Sequence, residues 1–270
     1  MSSPAKALAR RLLPHSVYRS YRRRKIASQI AAYEPHEVTH SYGGLELTLL
    51  LADPLGQGWY DHDWEEPTAL TFLREEGVLA PGATVFDLGA HQGVIALMIA
   101  AHVRPGGRVV AVEAEPHNAA VAQRNAELND AENLLVVHAA GAERSGTLSF
   151  GEGLNGSVDE RASTGTVEVP AVTVDELARE HGEPALVMID VEGYEARVLD
   201  GAPETLGNGR TSFLVEVHEE LADFGGSPED VIGRLDGFRR FVAVEDDDPL
   251  LPLDGSVPPG RFFLLALPQG

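Results

Sequence analysis

From about residue 83 to residue 217 the chain alternates short apolar runs with stretches of helical pattern, and that alternation restricts it to few folds. "TVFDLGA", "RVVAVEAEP", "LLVVHAA", "ALVMIDVEG" and "SFLVEVH" read as five strands. Between them, "GVIALMIAAHV", "HNAAVAQRNAELND", "DELAREHG" and "EARVLDGAPETL" read as helices. The strands lack clean polar alternation, so both of their faces need cover, which parallel strands joined by helices provide. "GTLSF" and "GTVEVPAVTV" are further β segments, and "RFVAVEDDD" and "GRFFLLALP" supply two more near the C-terminus. The expectation is an α/β fold: a mainly parallel seven-stranded sheet, helices on both faces, and an antiparallel strand near the C-terminus.

Upstream the pattern differs. Residues 1–33 read as helical, with Leu8, Leu12, Val17, Tyr21 and Ile26 near helical spacing and an interruption at Pro14. Two β-like runs flank Gly43-Gly44, a hairpin signal. "GQGWYDHDWEEP" (56–67) reads as a loop and "TALTFLREEGVLAPG" as a helix closed by Gly77 and Pro81. The organisation expected is an N-terminal basic helix, hairpin and capping segment over 1–78, then the α/β domain over 79–270.

The 270 residues include no cysteine, which excludes disulfides, thiolate metal sites and cysteine nucleophiles. No apolar run approaches the roughly 18 residues of a membrane span, and the basic N-terminus lacks the apolar segment of a signal peptide. A cytoplasmic protein without a transmembrane segment is expected. The net charge of −21 is unevenly placed. Eight Lys/Arg and no acid fall within residues 1–33, leaving 13 cations against 42 anions in the rest. Such a body repels nucleic acid, while the basic arm suits an anionic lipid surface or partner, or the protein's own acidic body. The oligomeric state stays open, a homo-oligomer included.

In doubly wound sheets, ligands bind outside the carboxyl ends of the strands. Those ends carry Asp87, Glu113 with Glu115, Asp190 with Glu192, and Glu216 with His218. In "VFDLGAHQGVIAL", Asp87 stands where the dinucleotide fingerprint has its first glycine. A carboxylate there repels a pyrophosphate but suits an ammonium. Gly89 and Gly93 permit close backbone approach, and the following helix N-terminus favours a carboxylate. A ligand with both groups is an amino acid. Glu113, one strand on, is placed to accept hydrogen bonds from two ribose hydroxyls. Amino acid plus ribose points to S-adenosylmethionine (SAM), with Asp87, Gly89, Ala90, Gly93, Glu113, Ala114, Gly141, Ala142 and Asp190 as candidate cofactor residues.

"VFDLGAHQGVIALMIA", "VVAVEAEPHNAAVAQRN", "VPAVTVDEL" and "VMIDVEGYEARVLDGA" together resemble the FkbM family of SAM-dependent methyltransferases. The likeness covers roughly residues 56–220, with "IDVEGYE" its most specific element. It implies a Rossmann-like class I methyltransferase fold and, usually, O-methylation of a hydroxyl on a sugar, polysaccharide or polyketide natural product. His91 and Gln92 vary the glycine loop without damaging its logic, and residues before about 55 carry no part of the match.

Strand alternation puts Asp190 and Glu192 on one face, and likewise Glu216 and His218. If these strands are neighbours, three carboxylates and an imidazole meet near the methyl donor. Three readings stay open. Asp190, Glu216 and His218 hold Mg²⁺ or Mn²⁺, which positions the acceptor hydroxyl. Or the chemistry is metal-free, with His218 or Asp190 as general base beside Glu216. Or Asp190 caps a turn, Glu192 pairs with Arg197, and His218 is an ordinary edge histidine.

Lesser candidates are Tyr60, Asp61, His62 and Trp64 as a pocket roof, and Asn155, Gly156 and Ser157 as a lid. His117, His138 and His181 read as ordinary histidines without partners, and Asp246-Asp247-Asp248 as an exposed turn. The expected acceptor is a small molecule or glycan. A non-catalytic SAM-binding scaffold remains the alternative. A nucleotide-dependent sugar oxidoreductase is disfavoured by Asp87, and a nucleic-acid methyltransferase by the acidic body.

Overall fold

The computed structural model describes residues 28–151, 157–158 and 166–269. Most of the basic arm, and Asn155 and Gly156 of the expected lid, therefore lie outside the described residues. A helical turn at 28–31 leads into a hairpin of β1 (His36–Tyr42) and β2 (Leu45–Leu51). Gly43 and Gly44 both have positive φ, the backbone that a two-residue hairpin turn requires. A side chain at Gly43 would also strike Met98. Next come α1 (Pro54–Tyr60) and α2 (Thr68–Glu75). The expected loop at 56–67 is thus half helix, because buried Asp53 caps it by accepting from Leu55 N and Gly56 N. That cap offsets two glycines that would otherwise disfavour a helix.

The α/β body follows: β3 (Thr84–Leu88), α3 (Val94–His102), β4 (Arg108–Glu113), α4 (Pro116–Leu128), β5 (Leu134–His138), then β6 (Ala140–Gly141), β7 (Gly146–Gly151), β8 (Ser157–Val158) and β9 (Thr166–Val172). After α5 (Val174–His181) come β10 (Leu186–Ile189), α6 (Glu195–Asp200), α7 (Pro203–Gly207), β11 (Ser212–Val217), a 3₁₀ helix (Glu219–Phe224), α8 (Pro228–Arg234), β12 (Arg239–Ala243), β13 (Leu251–Pro252) and β14 (Phe262–Leu267). The single helix read in "EARVLDGAPETL" is two helices. Pro203 lacks the N–H to continue the first and sits instead at the start of the second.

The main sheet has the order β13-β12-β14-β11-β10-β3-β4-β5. Strands β11, β10, β3, β4 and β5 run parallel, and β14 lies antiparallel between β11 and β12. The seven expected strands are all present, and the two-residue β13 makes eight. The extra β segments form a separate sheet, β6-β9-β7-β8. The order is that of a Rossmann-like doubly wound fold. The chain leaves β3 toward β4 and β5, then returns to its other side at β10, so the switch point falls between β3 and β10.

Alternation along the strands builds two cores. Phe86, Leu88, Val187, Ile189, Phe213 and Val215 pack on one face, and Val85, Leu186 and Leu214 on the other with the hairpin, α2 and α3. Asp87 and Glu216 share the parity of the second set, so both acids point to the face that the N-terminal segment covers. The hairpin docks on α4, where Asn125 Oδ1 and Asn129 Oδ1 accept from Leu50 N and Thr48 N. Among the described residues no helix is long and apolar enough to cross a membrane.

Candidate active site

At the carboxyl edge of the parallel strands lies a cavity of about 710 Å³, within the range of small-molecule sites. Asp87 lines it at 4% exposure, with its Oδ2 lacking a hydrogen-bond partner. Burial pushes the carboxyl up to about 7. An ionised carboxylate in this position calls for a cation. The chain turns away at Gly89, where φ is +94° and an added Cβ would lie 1.7 Å from the Asp190 carbonyl oxygen. Only glycine lets the two strand-end loops approach this closely.

Glu113, 7% exposed, ends β4 and lines the same cavity. Its two oxygens accept from His91 N at 2.7 Å and Glu115 N at 2.8 Å. Burial raises this carboxyl to about 7, against the opposing pull of those two N–H groups. Each oxygen retains a lone pair for a further donor. Glu115 has a structural role: its side chain accepts from Asn118 N and caps α4.

The N-terminal segment supplies an aromatic wall. Trp59, Tyr60 and Trp64 line the cavity. Tyr60 Oη and His91 Nδ1 are 2.9 Å apart, and the Trp59 ring lies 4.9 Å from that of His91. Behind this wall, wholly buried Asp53 accepts from Gln92 Nε2 at 2.6 Å and lies 3.1 Å from His117 Nε2. This bonding holds the Asp53 carboxyl below its usual range despite burial, and raises the His117 imidazole. His117, expected to lack a partner, therefore helps tie the cap of α1 to the start of α4, while Gln92 ties that cap to the glycine loop.

The far end of the cavity holds Asp190, Glu192, Glu216 and His218. Neighbouring β10 and β11 bring them together as expected, but alternation explains only half of it. Strand β10 stops at Ile189, and Glu192 sits in the following turn at φ +53°. His218, 6% exposed, places Nδ1 2.8 Å from Glu195 Oε1. Its Nε2 lies 3.4 Å from Glu216, 3.6 Å from Asp190 and 3.9 Å from Glu192. Burial alone would lower the imidazole pKa, but Glu195 and Glu216, with the charge of Asp190, raise it to about 11. The ring is an imidazolium at neutral pH, so His218 cannot serve as the general base in this state. Although half of the Asp190 side chain faces open space, surrounding protein and the like charges of Glu216 and Glu192 hold its carboxyl well above the ordinary range.

Arg261, on the approach to β14, lies 2.5 Å from Glu216 Oε1 and reaches Glu245 at 3.1 Å. The His218 and Arg261 charges keep the Glu216 carboxyl low despite its burial. Glu216 is therefore already engaged, and the expected ligand trio of Asp190, Glu216 and His218 is not the one the geometry favours. The three groups whose ligand atoms lie within 4.8 Å of one another are Asp190, Glu192 and His218.

Ala90, Ala114 and Gly141 also line the cavity, but Gly93 and Ala142 do not. Gly93, at φ +81°, packs its backbone on Ala122 and starts α3; Ala142 is buried against Gly201. Asp61 and His62 point elsewhere than the cavity, Asp61 to His40. His138 lies 3.1 Å from the Ala114 carbonyl. The run at 246–248 is mainly an exposed turn, yet Asp246 lines the cavity rim. Sequence reasoning missed Trp59, Glu195 and Arg261. Glu195 is the last residue of the "IDVEGYE" element, the one signal that could have drawn attention to it, and nothing local distinguishes Arg261.

A family model described as the methyltransferase FkbM domain matches residues 87–243. No curated protein matches the chain. Among solved structures, it is similar to an FkbM methyltransferase from Methylobacillus flagellatus at 15% identity and TM-score 0.45, covering 68% of this chain and 43% of that one. It is similar to a SAM-dependent O-methyltransferase from Thermotoga maritima at 15% identity and TM-score 0.46, covering 90% and 82%. A precorrin-6y C5,15-methyltransferase from Geobacter metallireducens matches at 12% identity and TM-score 0.43, covering 72% and 87%.

Proposed function

The chain belongs to the FkbM family of SAM-dependent methyltransferases, and on that premise we propose that it methylates a hydroxyl oxygen of a sugar, polysaccharide or related natural product. The observation that carries this reading is one cavity with two differently furnished ends: the orphaned Asp87 carboxyl with Glu113 at one, and Asp190 beside the His218 imidazolium at the other.

SAM, when bound, supplies an electrophilic methyl group on a sulfonium. Asp87 would receive its ammonium, whose charge favours the ionised carboxylate. Gly89 and Ala90 would let the backbone approach the methionine portion, and Glu113 would accept from the ribose hydroxyls. At the other end Asp190 would orient the acceptor hydroxyl and draw on its proton. The His218 imidazolium, held by Glu195, would keep neighbouring carboxylates ionised and in place. The aromatic wall of Trp59, Tyr60 and Trp64 gives a sugar ring an apolar face to lie on. A net charge of −21 disfavours a nucleic-acid acceptor.

The test is calorimetric titration of S-adenosylhomocysteine (SAH), with Glu113→Ala and Asp190→Ala as variants. Micromolar binding that is lost in Glu113→Ala and kept in Asp190→Ala supports separate cofactor and acceptor ends, and leads to sugar acceptors. Folded wild type that binds no SAH would sink the reading.

A further inference from the structure

We propose that the sugar unit methylated in this cavity carries no phosphate or carboxylate, so that the reaction supplying it is a glycosyl transfer that has already removed the activating phosphate. The inference rests on the methyltransferase reading of the same cavity and adds the charge of its acceptor.

The first observation is the balance of charge at the acceptor end. Asp190, Glu192, Glu216, Glu219, Glu220 and Asp246 line it. Against them stand the His218 imidazolium and Arg261, the one arginine of the lining, which includes no lysine. Both cations are engaged within the protein. His218 lies 2.8 Å from Glu195 and 3.4 Å from Glu216, and Arg261 lies 2.5 Å from Glu216 and 3.1 Å from Glu245. Burial, and next the charge of Glu216, holds the carboxyls of Asp190 and Asp246 above their ordinary range. This end of the cavity already resists negative charge. An anionic sugar would add like charge inside low-dielectric walls, with no guanidinium or ammonium left to pair with. It would also bring hydrogen-bond acceptors to acceptors, whereas hydroxyls bring donors.

The second, independent observation is aromatic. Of the exposed large apolar side chains among the described residues, only Trp59, 39% exposed, lines this cavity. Its ring lies 4.9 Å from that of His91 and edge-on to Tyr60 at 6.1 Å, and its carbonyl accepts from Trp64 Nε1 at 3.0 Å. The indole is fixed, with surface to spare for a ligand ring. A pyranoside offers an apolar C–H face to such a platform and hydroxyl donors to the carboxylates beside it.

These features reject a nucleoside-diphosphate sugar and accept the glycoside made from it. In that transfer an alcohol oxygen bonds to the anomeric carbon as the carbon–phosphate oxygen bond breaks. The nucleoside diphosphate leaves with the electron pair, and the alcohol proton goes to solvent. Methylation then acts on the uncharged sugar unit.

Trp59 and Trp64 are the chain's two tryptophans, so indole emission reports on this wall. The full chain, saturated with SAH, is titrated with the methyl pyranosides of glucose, galactose and mannose, each beside its 6-carboxylate and its sugar 1-phosphate. At least one glycoside should change the emission saturably, and should bind at least tenfold more tightly than its two anionic counterparts. Glu219→Gln with Glu220→Gln, two exposed positions, should narrow that gap to about threefold and leave SAH affinity unchanged. Trp59→Ala should weaken glycoside binding at least tenfold, read by calorimetry. An anionic sugar that binds as tightly as its neutral counterpart overturns the proposal. So does a gap that persists in the double variant, full glycoside affinity in Trp59→Ala, or no response to any glycoside at about 100 mM. Those failures leave the methyltransferase reading standing as long as SAH binds; absence of SAH binding sinks both.

Discussion

The backbone N–H of His91 donates to Glu113 Oε2 at 2.7 Å, so the glycine loop after β3 and the acid ending β4 form one hydrogen-bonded unit. Glu113→Ala and Glu113→Gln both break that unit, since an amide presents only one acceptor oxygen to two N–H donors. SAH affinity should fall at least tenfold in each, read by calorimetry. Unchanged affinity in both would remove Glu113 from the cofactor site.

Asp87 makes the ligand-free protein lose stability as pH rises. Its carboxyl titrates near 7 when folded against an ordinary 3.8, so its contribution is fully present below about pH 3.8 and lost as pH climbs through 7. The difference is on the order of 4 kcal/mol. Asp87→Asn should therefore be more stable than wild type by about 2–4 kcal/mol at pH 8, with the gap closing toward pH 4.5, and should bind SAH poorly. Denaturant unfolding at both pH values checks it. A gap that grows on acidification contradicts the assignment.

Gly89→Ala should be among the most damaging glycine changes. Positive φ and the Asp190 carbonyl together cost on the order of 3 kcal/mol, about 6–12 °C in thermal midpoint for a chain of this size. Gly207→Ala, in α7 with nothing within 4 Å of the new methyl, should change stability by less than about 1 kcal/mol. Comparable losses in the two would mean the close approach at Gly89 is not as described.

Asp53→Ala removes the cap of α1 and leaves buried donors on Gly56 and Gln92 without an acceptor. The expected loss is about 3 kcal/mol. Because Trp59 and Tyr60 ride on that helix, SAH affinity should weaken severalfold as well. Thermal unfolding and calorimetry on one sample measure both. Full affinity in a destabilised variant would confine Asp53 to a folding role.

Much of this was readable along the chain. Asp87, Gly89 and Glu113 were legible because strand-end residues in a parallel sheet face one edge, and periodicity finds strand ends. Gly93 and Ala142 do not line the cavity, because proximity in sequence to a glycine loop or strand end says nothing of which surface a backbone presents. Both pack inward. Glu192 was assigned to a strand face, whereas a left-handed turn delivers it.

Local sequence determined the sheet, its direction and the acids along its edge, since those follow from hydrophobic period and from which residues end each strand. Tertiary structure alone decided how those acids behave. Arg261 reaches Glu216 across 45 residues, Glu195 fixes the His218 ring, and burial of Asp87 holds its proton near neutrality. Ionisation and orientation depend on the distance to neighbours and on excluded water, and neither quantity exists until the strands have assembled.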